Sequence, residues 1–346
     1  MIAPSSAFAS DNAAPAHPQV IDAIVAANTG AMPSYADDAV TGHAADALRA
    51  AFDSPDADVL FALTGTGANI VALAAAVRPW EQILCSDIAH VIVDEAGGVV
   101  RVSGATLTAL PSSDGIIDPG ELDRVITARG VVHHSQPRIV TLTQSTENGR
   151  VWNPRAIAEF ITHAHDLGLL VHIDGSRIAN ATAALGVEPL TATGDADIIT
   201  VGGTKNGALL GDAVLVRRPD EFHGIRFVHK QIGHLASKHR YVAAQFTALL
   251  DGGLWLRLAA HANEMAARLS GGLVDLGVEL AVPTEANEVF VNLAPDAYAA
   301  LSQHYSVHKP DPLAPTVRFV CSWSTTADEV DDVLQLYTGL PSAPSA

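Results

Sequence analysis

The sequence predicts an α/β fold: a mostly parallel sheet covered on both faces, followed by a smaller α+β unit. Three observations carry that prediction. Apolar strand-like runs alternate with helix-like segments over most of the 346 residues. The runs are continuous rather than alternating, as in strands buried on both faces. After about Leu250 the texture changes to one long amphipathic segment and short strands. At 48% hydrophobic and 17% charged, the chain can bury a large core, which excludes disorder, a collagen-like repeat and a disulfide-stapled miniature.

Residues 59–63 form an apolar run that stops at a Gly/Thr turn, and 68–77 then read as a helix. Residues 82–85 look like a strand. The segment 119–128 reads as a helix because Pro119 stands near its start, with Glu121 and Asp123 in the first turn. Residues 138–143 are β-rich, 154–167 helical and 169–173 apolar throughout, and strands at 198–201 and 213–216 follow. Beyond them, 254–273 is one amphipathic helix with Arg257, His261, Glu264 and Arg268 interleaved. Short strands at 289–293 and 317–321 and a helix at 328–337 close the chain. The expected division is a large domain, residues 1–250 with an N-terminal arm, and a small α+β domain, 251–346. Its Pro/Ser/Ala-rich end, 339–346, reads as loose.

Twenty basic residues against 38 acidic ones give a net charge of −18. Such a chain repels nucleic acid and acidic membrane surfaces unless it concentrates positive charge locally. The longest strongly apolar stretch, 70–77, falls well short of the ~20 residues a membrane span needs. The N-terminal MIAPSSAFASDN has no basic region and no long apolar run, as a signal peptide would. Cys85 and Cys321 both lie in apolar runs and read as buried free thiols. A cytoplasmic protein without nucleic-acid or membrane partners is expected.

Chemistry starts from lysine, because there are only four: Lys205, Lys230, Lys238 and Lys309. Lys205 follows a strand in Gly202-Gly203-Thr204-Lys205-Asn206-Gly207. Glycine on both sides leaves room for a bulky group on its amine, which can form a Schiff base with a carbonyl cofactor. A solvated loop lysine is the plainer reading of that motif alone. It is joined, 31 residues upstream, by a strand that ends in Asp174-Gly175-Ser176-Arg177. Residues just past the carboxyl ends of parallel strands converge on the ligand crevice. An acid at a pyridinium nitrogen and a lysine at an aldehyde are the two anchors that pyridoxal phosphate requires.

Thr64-Gly65-Thr66-Gly67-Ala68-Asn69 opens a helix after a strand, where backbone amides bind phosphate. Asp87, 20 residues beyond Gly67, leaves a nicotinamide-binding reading open, though that reading gives Lys205 and Asp174 no task. Residues 222–250 hold Arg226, Lys230, Lys238 and Arg240 and no acid, a local cationic patch fit for a phosphate or carboxylate, or an interface helix. His90 follows the strand at 82–85. His163 and His165 are two apart on a helix and face different ways. The sequence contains no zinc spacing, Walker loop or nucleophile elbow.

In order along the chain, these pieces resemble the threonine aldolase family of pyridoxal-phosphate enzymes, fold type I of the aminotransferase kind. The matching stretches are Ser10-Asp11-Asn12, Tyr35-Ala36-Asp37-Asp38, residues 64–69, Ala89-His90, Glu95-Ala96-Gly97-Gly98 and residues 143–149. They continue with residues 172–177, 203–207, Lys230-Gln231 and Val317-Arg318. The resemblance implies that Lys205 carries the cofactor, Asp174 pairs the ring nitrogen, His90 stacks on the ring, and Gly65 and Thr66 hold the phosphate. Lys238 or Arg240 would add to the phosphate shell. It implies that Ser10, Arg177 and Arg318 receive the substrate carboxylate, with Arg177 also close to the cofactor. Two arginines suit that task, because guanidinium binds carboxylate in a bidentate fork and keeps its charge.

By the same resemblance, Lys230 and Tyr35 reach the site from a neighbouring subunit of a homo-oligomer, a dimer of dimers. The implied reaction is reversible cleavage of an L-β-hydroxy-α-amino acid, such as threonine, allo-threonine or phenylserine, to glycine and an aldehyde. β-Elimination, racemisation or transamination on the same scaffold would need the same Lys205 and Asp174. Many relatives carry a histidine where this chain has Glu147, so His90, Glu147 or an ordered water can serve as the base for the β-hydroxyl. Asp94 stands where some relatives have an aromatic residue, which bears on tolerance at Cβ.

Overall fold

The computed structural model describes residues 4–338; the segment 339–346, read above as loose, lies outside the described residues. Twelve strands and fourteen α-helices make up the described chain. The N-terminal arm leads into α1 (Pro18–Ala27) and α2 (Ala39–Ala51), then β1 (Asp58–Ala62), α3 (Gly65–Ala76) and β2 (Glu81–Ser86). Next come α4 (His90–Val93), α5 (Gly98–Ser103), β3 (Thr106–Leu110), the small hairpin β4 (Ser112–Ser113) and β5 (Ile116–Ile117), and α6 (Gly120–Ile126). The middle of the chain runs β6 (Gln136–Thr143), α7 (Pro154–Asp166), β7 (Leu170–Gly175), α8 (Ile178–Leu185), α9 (Pro189–Thr193), β8 (Ile198–Gly202) and β9 (Asp212–Val216). Then follow α10 (Ile225–Gln231), α11 (Arg240–Leu250), α12 (Leu254–Asp275), β10 (Glu279–Val282), β11 (Glu288–Asn292), α13 (Pro295–Leu301), β12 (Thr316–Val320) and α14 (Ala327–Thr338).

The expected parallel sheet is present, seven-stranded in the order β1-β9-β8-β7-β6-β2-β3. Only β9 runs against the rest, pairing antiparallel with both neighbours. Hydrophobic residues pack on both faces. Val140, Leu142, Val171, Ile173 and Ile199 point into one core with α7, α8 and α11, while Ile139, Leu170, Ile198 and Val214 meet α3 in the other. A second sheet, β10-β11-β12, builds the core near the C-terminus, and Phe8 of the N-terminal arm packs into it. Helix α12 serves both ends: Trp255 and Leu258 join the main core, and Leu269 and Leu273 the smaller one.

Most element boundaries shift by a residue or two from the sequence expectation, and at two helix starts the capping is visible. The helix expected from residue 68 begins at Gly65, because the Thr64 hydroxyl accepts from the Gly67 amide at 3.0 Å and caps it. The glycine loop is therefore itself the first helical turn. The helix expected over 119–128 spans Gly120–Ile126, with Pro119 as its N-cap.

Candidate active site

The carboxyl ends of β7 and β8 open onto a cavity of about 360 Å³, a usual size for a small-molecule site. Asp174 and Ser176 reach it from the turn after β7, and Thr204 and Lys205 from the turn after β8. Gly65 and Thr66 form its wall at the start of α3, and Asn12 and His90 complete it. A larger cavity of about 640 Å³ lies between α13 and α14, but it contains none of the anticipated site residues.

Lys205 occupies a single 3-10 turn, Thr204–Asn206, that ends at Gly207 with φ 95°, a left-handed conformation that glycine adopts without strain. The buried Asp212 of β9 accepts from the Gly203 and Thr204 amides, each at 3.2 Å, and pins that turn. Asp174 is fully buried and accepts from Asn69 Nδ2 at 2.7 Å, the Ser176 amide at 3.0 Å and Ser176 Oγ at 2.9 Å. Burial opposes its charge, but His172, Lys205 and these hydrogen bonds outweigh burial and hold it below the usual carboxylate range. Burial pushes His172 down to about 4, so at neutral pH it presents no charge to Asp174.

At the start of α3, Thr64 takes the amides of Gly67 and Ala68. That leaves the N–H groups of Gly65 and Thr66, both on the cavity wall, for an anion. Gly67 must be glycine: a Cβ there would stand 2.0 Å from His234 Cε1, and the His234 ring is fixed because its Nδ1 accepts from the Leu63 amide. Amine, ring-facing acid and free helix amides together fit pyridoxal phosphate.

His90 lies at the first position of α4, with Nδ1 2.9 Å from Oε1 of the buried Glu95. That hydrogen bond raises its pKa against the opposing effect of burial, and the charge of Asp174 adds to the rise. Glu147 stands beside it, half-buried as a residue with its carboxyl turned inward. Its Oε1 accepts from Thr143 Oγ1 at 2.7 Å and from the His90 amide at 2.9 Å, while Oε2 has no partner among the described residues. Burial pushes Glu147 up to about 7 in spite of those two hydrogen bonds. A buried carboxyl with a free oxygen and a pKa near neutrality has the makings of a general acid or base.

The two arginines expected to receive a carboxylate meet in a second cluster, around Asp11 and Glu288. Arg177 donates through Nε and Nη2 to Asp11, at 2.7 and 3.0 Å. Its Nη1 stands 3.3 Å from Glu288, and Arg318 Nη1 stands 3.5 Å from the same carboxylate. Neither contact meets hydrogen-bond geometry, so charge alone holds Glu288. Burial pushes Glu288 up against the pull of both arginines. Arg318 Nε is buried without a partner among the described residues. Ser10 immediately precedes Asp11 and caps the short turn that carries it.

Ser10, Glu147, Arg177 and Arg318 lie outside the cavity lining, and so do Tyr35, Lys230 and Asp94, which join none of the contacts described so far. Tyr35, at φ 59°, packs its ring under Lys230 Nζ at 4.2 Å, and both side chains are exposed. Asp94 is exposed at the end of α4. In the stretch 222–250 the histidines add little to the charge of Arg226, Lys230, Lys238 and Arg240. His229 and His239 are buried, and burial pushes His229 down to about 4 and lowers His239 and His234. Cys85 and Cys321 are buried free thiols, pushed up to about 12 by burial and therefore inert.

The sequence reading did not single out Asn69, Glu95, Asp212, Asp11 or Glu288. Asn69, Glu95 and Asp11 lay inside quoted motifs, whereas nothing local distinguishes Glu288 or Asp212.

The beta-eliminating lyase family profile matches residues 7–296. The low specificity L-threonine aldolase of Pseudomonas sp. (strain NCIMB 10558) is 38% identical over 333 residues, 95% of this chain and 96% of that protein. A threonine aldolase structure from Leishmania major superposes with a TM-score of 0.92 at 26% identity, covering 96% of this chain and 99% of that one. Aspartate aminotransferase of Thermus thermophilus, with a TM-score of 0.73 at 13% identity, covers 97% of this chain and 91% of its own and shares the fold alone.

Proposed function

The chain belongs to the beta-eliminating lyase family and, within it, to the threonine aldolases, and from that premise we propose its reaction and substrate range. It is a pyridoxal-phosphate-dependent aldehyde-lyase that cleaves threonine. We propose reversible cleavage of L-β-hydroxy-α-amino acids more broadly, allo-threonine and phenylserine included, to glycine and an aldehyde. The observation that carries this reading is Lys205 and Asp174 facing one cavity beside the free amides of α3.

When bound, pyridoxal phosphate supplies an aldehyde that amines capture and a pyridinium ring that takes up the electron pair released at Cα. Lys205 provides the amine that holds the cofactor, and Asp174, ionised at neutral pH, faces its ring nitrogen. The Gly65 and Thr66 amides bind its phosphate, and His90 flanks its ring. Arg177, Arg318 and Ser10 receive the substrate carboxylate. Holding that group fixes rotation about Cα, and so decides which bond at Cα is presented for cleavage. Glu147 takes the proton of the β-hydroxyl through its unpartnered oxygen, with His90 as the alternative base. Asp94 tunes which side chains are accepted at Cβ.

Tyr35 and Lys230, paired and exposed outside their own cavity, serve the site of a neighbouring copy in a homo-oligomer, a dimer of dimers. Residues 1–250 act as the cofactor-binding domain and 251–346 as the small domain. Two buried free thiols are consistent with a cytoplasmic location.

Product analysis tests the reaction. Purified enzyme given L-threonine, L-allo-threonine and phenylserine should release glycine and the matching aldehyde in equal amounts. A keto acid, ammonia or a racemised amino acid in their place would overturn the aldolase reading. Arg318→Ala should raise KM for threonine by about 10–100-fold with a smaller change in kcat, since a charge-assisted anchor on a carboxylate is lost. An unchanged KM removes Arg318 from the substrate site.

A further inference from the structure

A row of polar side chains lies beneath the cavity, on the face of the sheet that α3 covers. The register sets Thr141 of β6 beside His172 of β7, and Asp174 beside Thr200 of β8. Thr141, His172, Thr200 and the Asn69 of α3 are all buried, at 3%, 0%, 0% and 2% exposure. Water cannot complete their hydrogen bonds, so they must satisfy one another.

That requirement fixes the direction of every proton. Asn69 faces two carboxylates, Asp174 Oδ2 at 2.7 Å and Glu95 Oε1 at 2.9 Å, and both accept from its Nδ2. An amide oxygen in that place would be repelled by both acids. The Asn69 Oδ1 therefore accepts from Thr200 Oγ1 at 3.0 Å. A hydroxyl carries one proton, so at its contact with His172 Nε2, 3.0 Å away, Thr200 must accept. This places the imidazole proton on Nε2 and leaves Nδ1 to accept from Thr141 Oγ1 at 2.7 Å. His172 stays neutral at physiological pH, so this tautomer persists.

We propose that Asn69 is a positioning residue that ties Asp174 to the Glu95–His90 pair, with the Thr141–His172–Thr200 chain holding its amide in that orientation. The inference rests on the reading that Asp174 and His90 contact the cofactor. One amide then serves both anchors: its first proton holds the acid at the ring nitrogen, and its second holds the acid that orients the imidazole. Turning the amide over would set its oxygen against both carboxylates and loosen the two anchors together. Groups beyond a ligand's immediate shell act in this way in metal sites, where they orient the ligating side chains.

The test is a double-mutant cycle read in the dissociation constant of pyridoxal phosphate, with cooperative thermal unfolding as the check on folding. Asn69→Ala should weaken cofactor binding about tenfold, the effect of one hydrogen bond to a buried charged group. Thr200→Val should weaken it in the same direction and Thr200→Ser should restore it. Thr200→Val in the Asn69→Ala background should cost nothing further, because Thr200 acts only through Asn69. Additive losses, or equal affinities of the valine and serine variants, would overturn the proposal. If Thr200→Val does not fold, Thr141→Val, two residues further along the hydrogen-bonded chain and beyond His172, serves the same cycle. Failure of the unsubstituted enzyme to bind pyridoxal phosphate would instead overturn the functional reading beneath it.

Discussion

Lys205→Ala is expected to abolish covalent cofactor attachment and threonine cleavage together, lowering kcat by roughly 10⁴-fold or more, the scale on which loss of a covalent catalytic group acts. The fold should survive. Lys205 is half-buried on the cavity wall, and its turn is held by the Gly203 and Thr204 amides donating to Asp212, bonds that the substitution leaves intact. Borohydride treatment followed by mass analysis should add the mass of the reduced cofactor to a Lys205 peptide of the unsubstituted enzyme and to no peptide of the variant. An unchanged melting temperature with lost attachment would separate chemistry from stability. Turnover retained in the variant would remove Lys205 from the mechanism.

The reason Lys205 was legible in the sequence is geometric. In a parallel sheet the functional turns follow the carboxyl ends of strands, so a continuous apolar run ending in a polar, glycine-bearing turn marks both the strand and the site. The turns after β7 and β8 and the cap of α3 all carry that local signature, and the structure gathers Asp174, Lys205, Gly65, Thr66 and His90 around one cavity. Strand direction carries no such signature. The run that forms β9 is as apolar as its neighbours, and its reversal shows only in the pairing.

What stayed hidden is the set of buried polar residues whose partners are remote in sequence. Arg177 is 166 residues from Asp11, and Asn69 is 105 from Asp174 and 131 from Thr200. No local pattern distinguishes a buried Glu288 in an apolar strand from an exposed one. In the stretch 222–250 the charge rests on Arg226, Lys230, Lys238 and Arg240, because His229 and His239 are folded into the interior, where burial lowers their pKa.

Glu147→Gln separates the two candidate bases, and its pH dependence has a definite sign. Burial raises Glu147 from 4.5 to about 7, so the enzyme should gain activity as pH rises through about 7 and the carboxylate forms. Glutamine keeps the acceptor for Thr143 and the His90 amide but cannot take a proton. The variant should lose about 10²–10⁴-fold in kcat, the usual contribution of a general base, and its profile should lose the rise near pH 7. Stability should move the other way. A carboxyl whose folded pKa is raised contributes stability that is present below about 4.5 and lost as pH rises through about 7. Ionising Glu147 in the folded protein therefore costs on the order of 3 kcal/mol above neutrality. Glutamine has no charge to bury, so the variant should melt higher than the unsubstituted enzyme at pH 8, with the gap shrinking as the pH falls below 6. Thermal unfolding across that range, read beside kcat, gives both signs in one experiment. Unaltered kcat on threonine would exclude Glu147 and leave the β-hydroxyl proton to His90. Lost kcat without the stability gain would mean that Glu147 is not buried as a charge, and that it acts by holding His90 through the backbone amide.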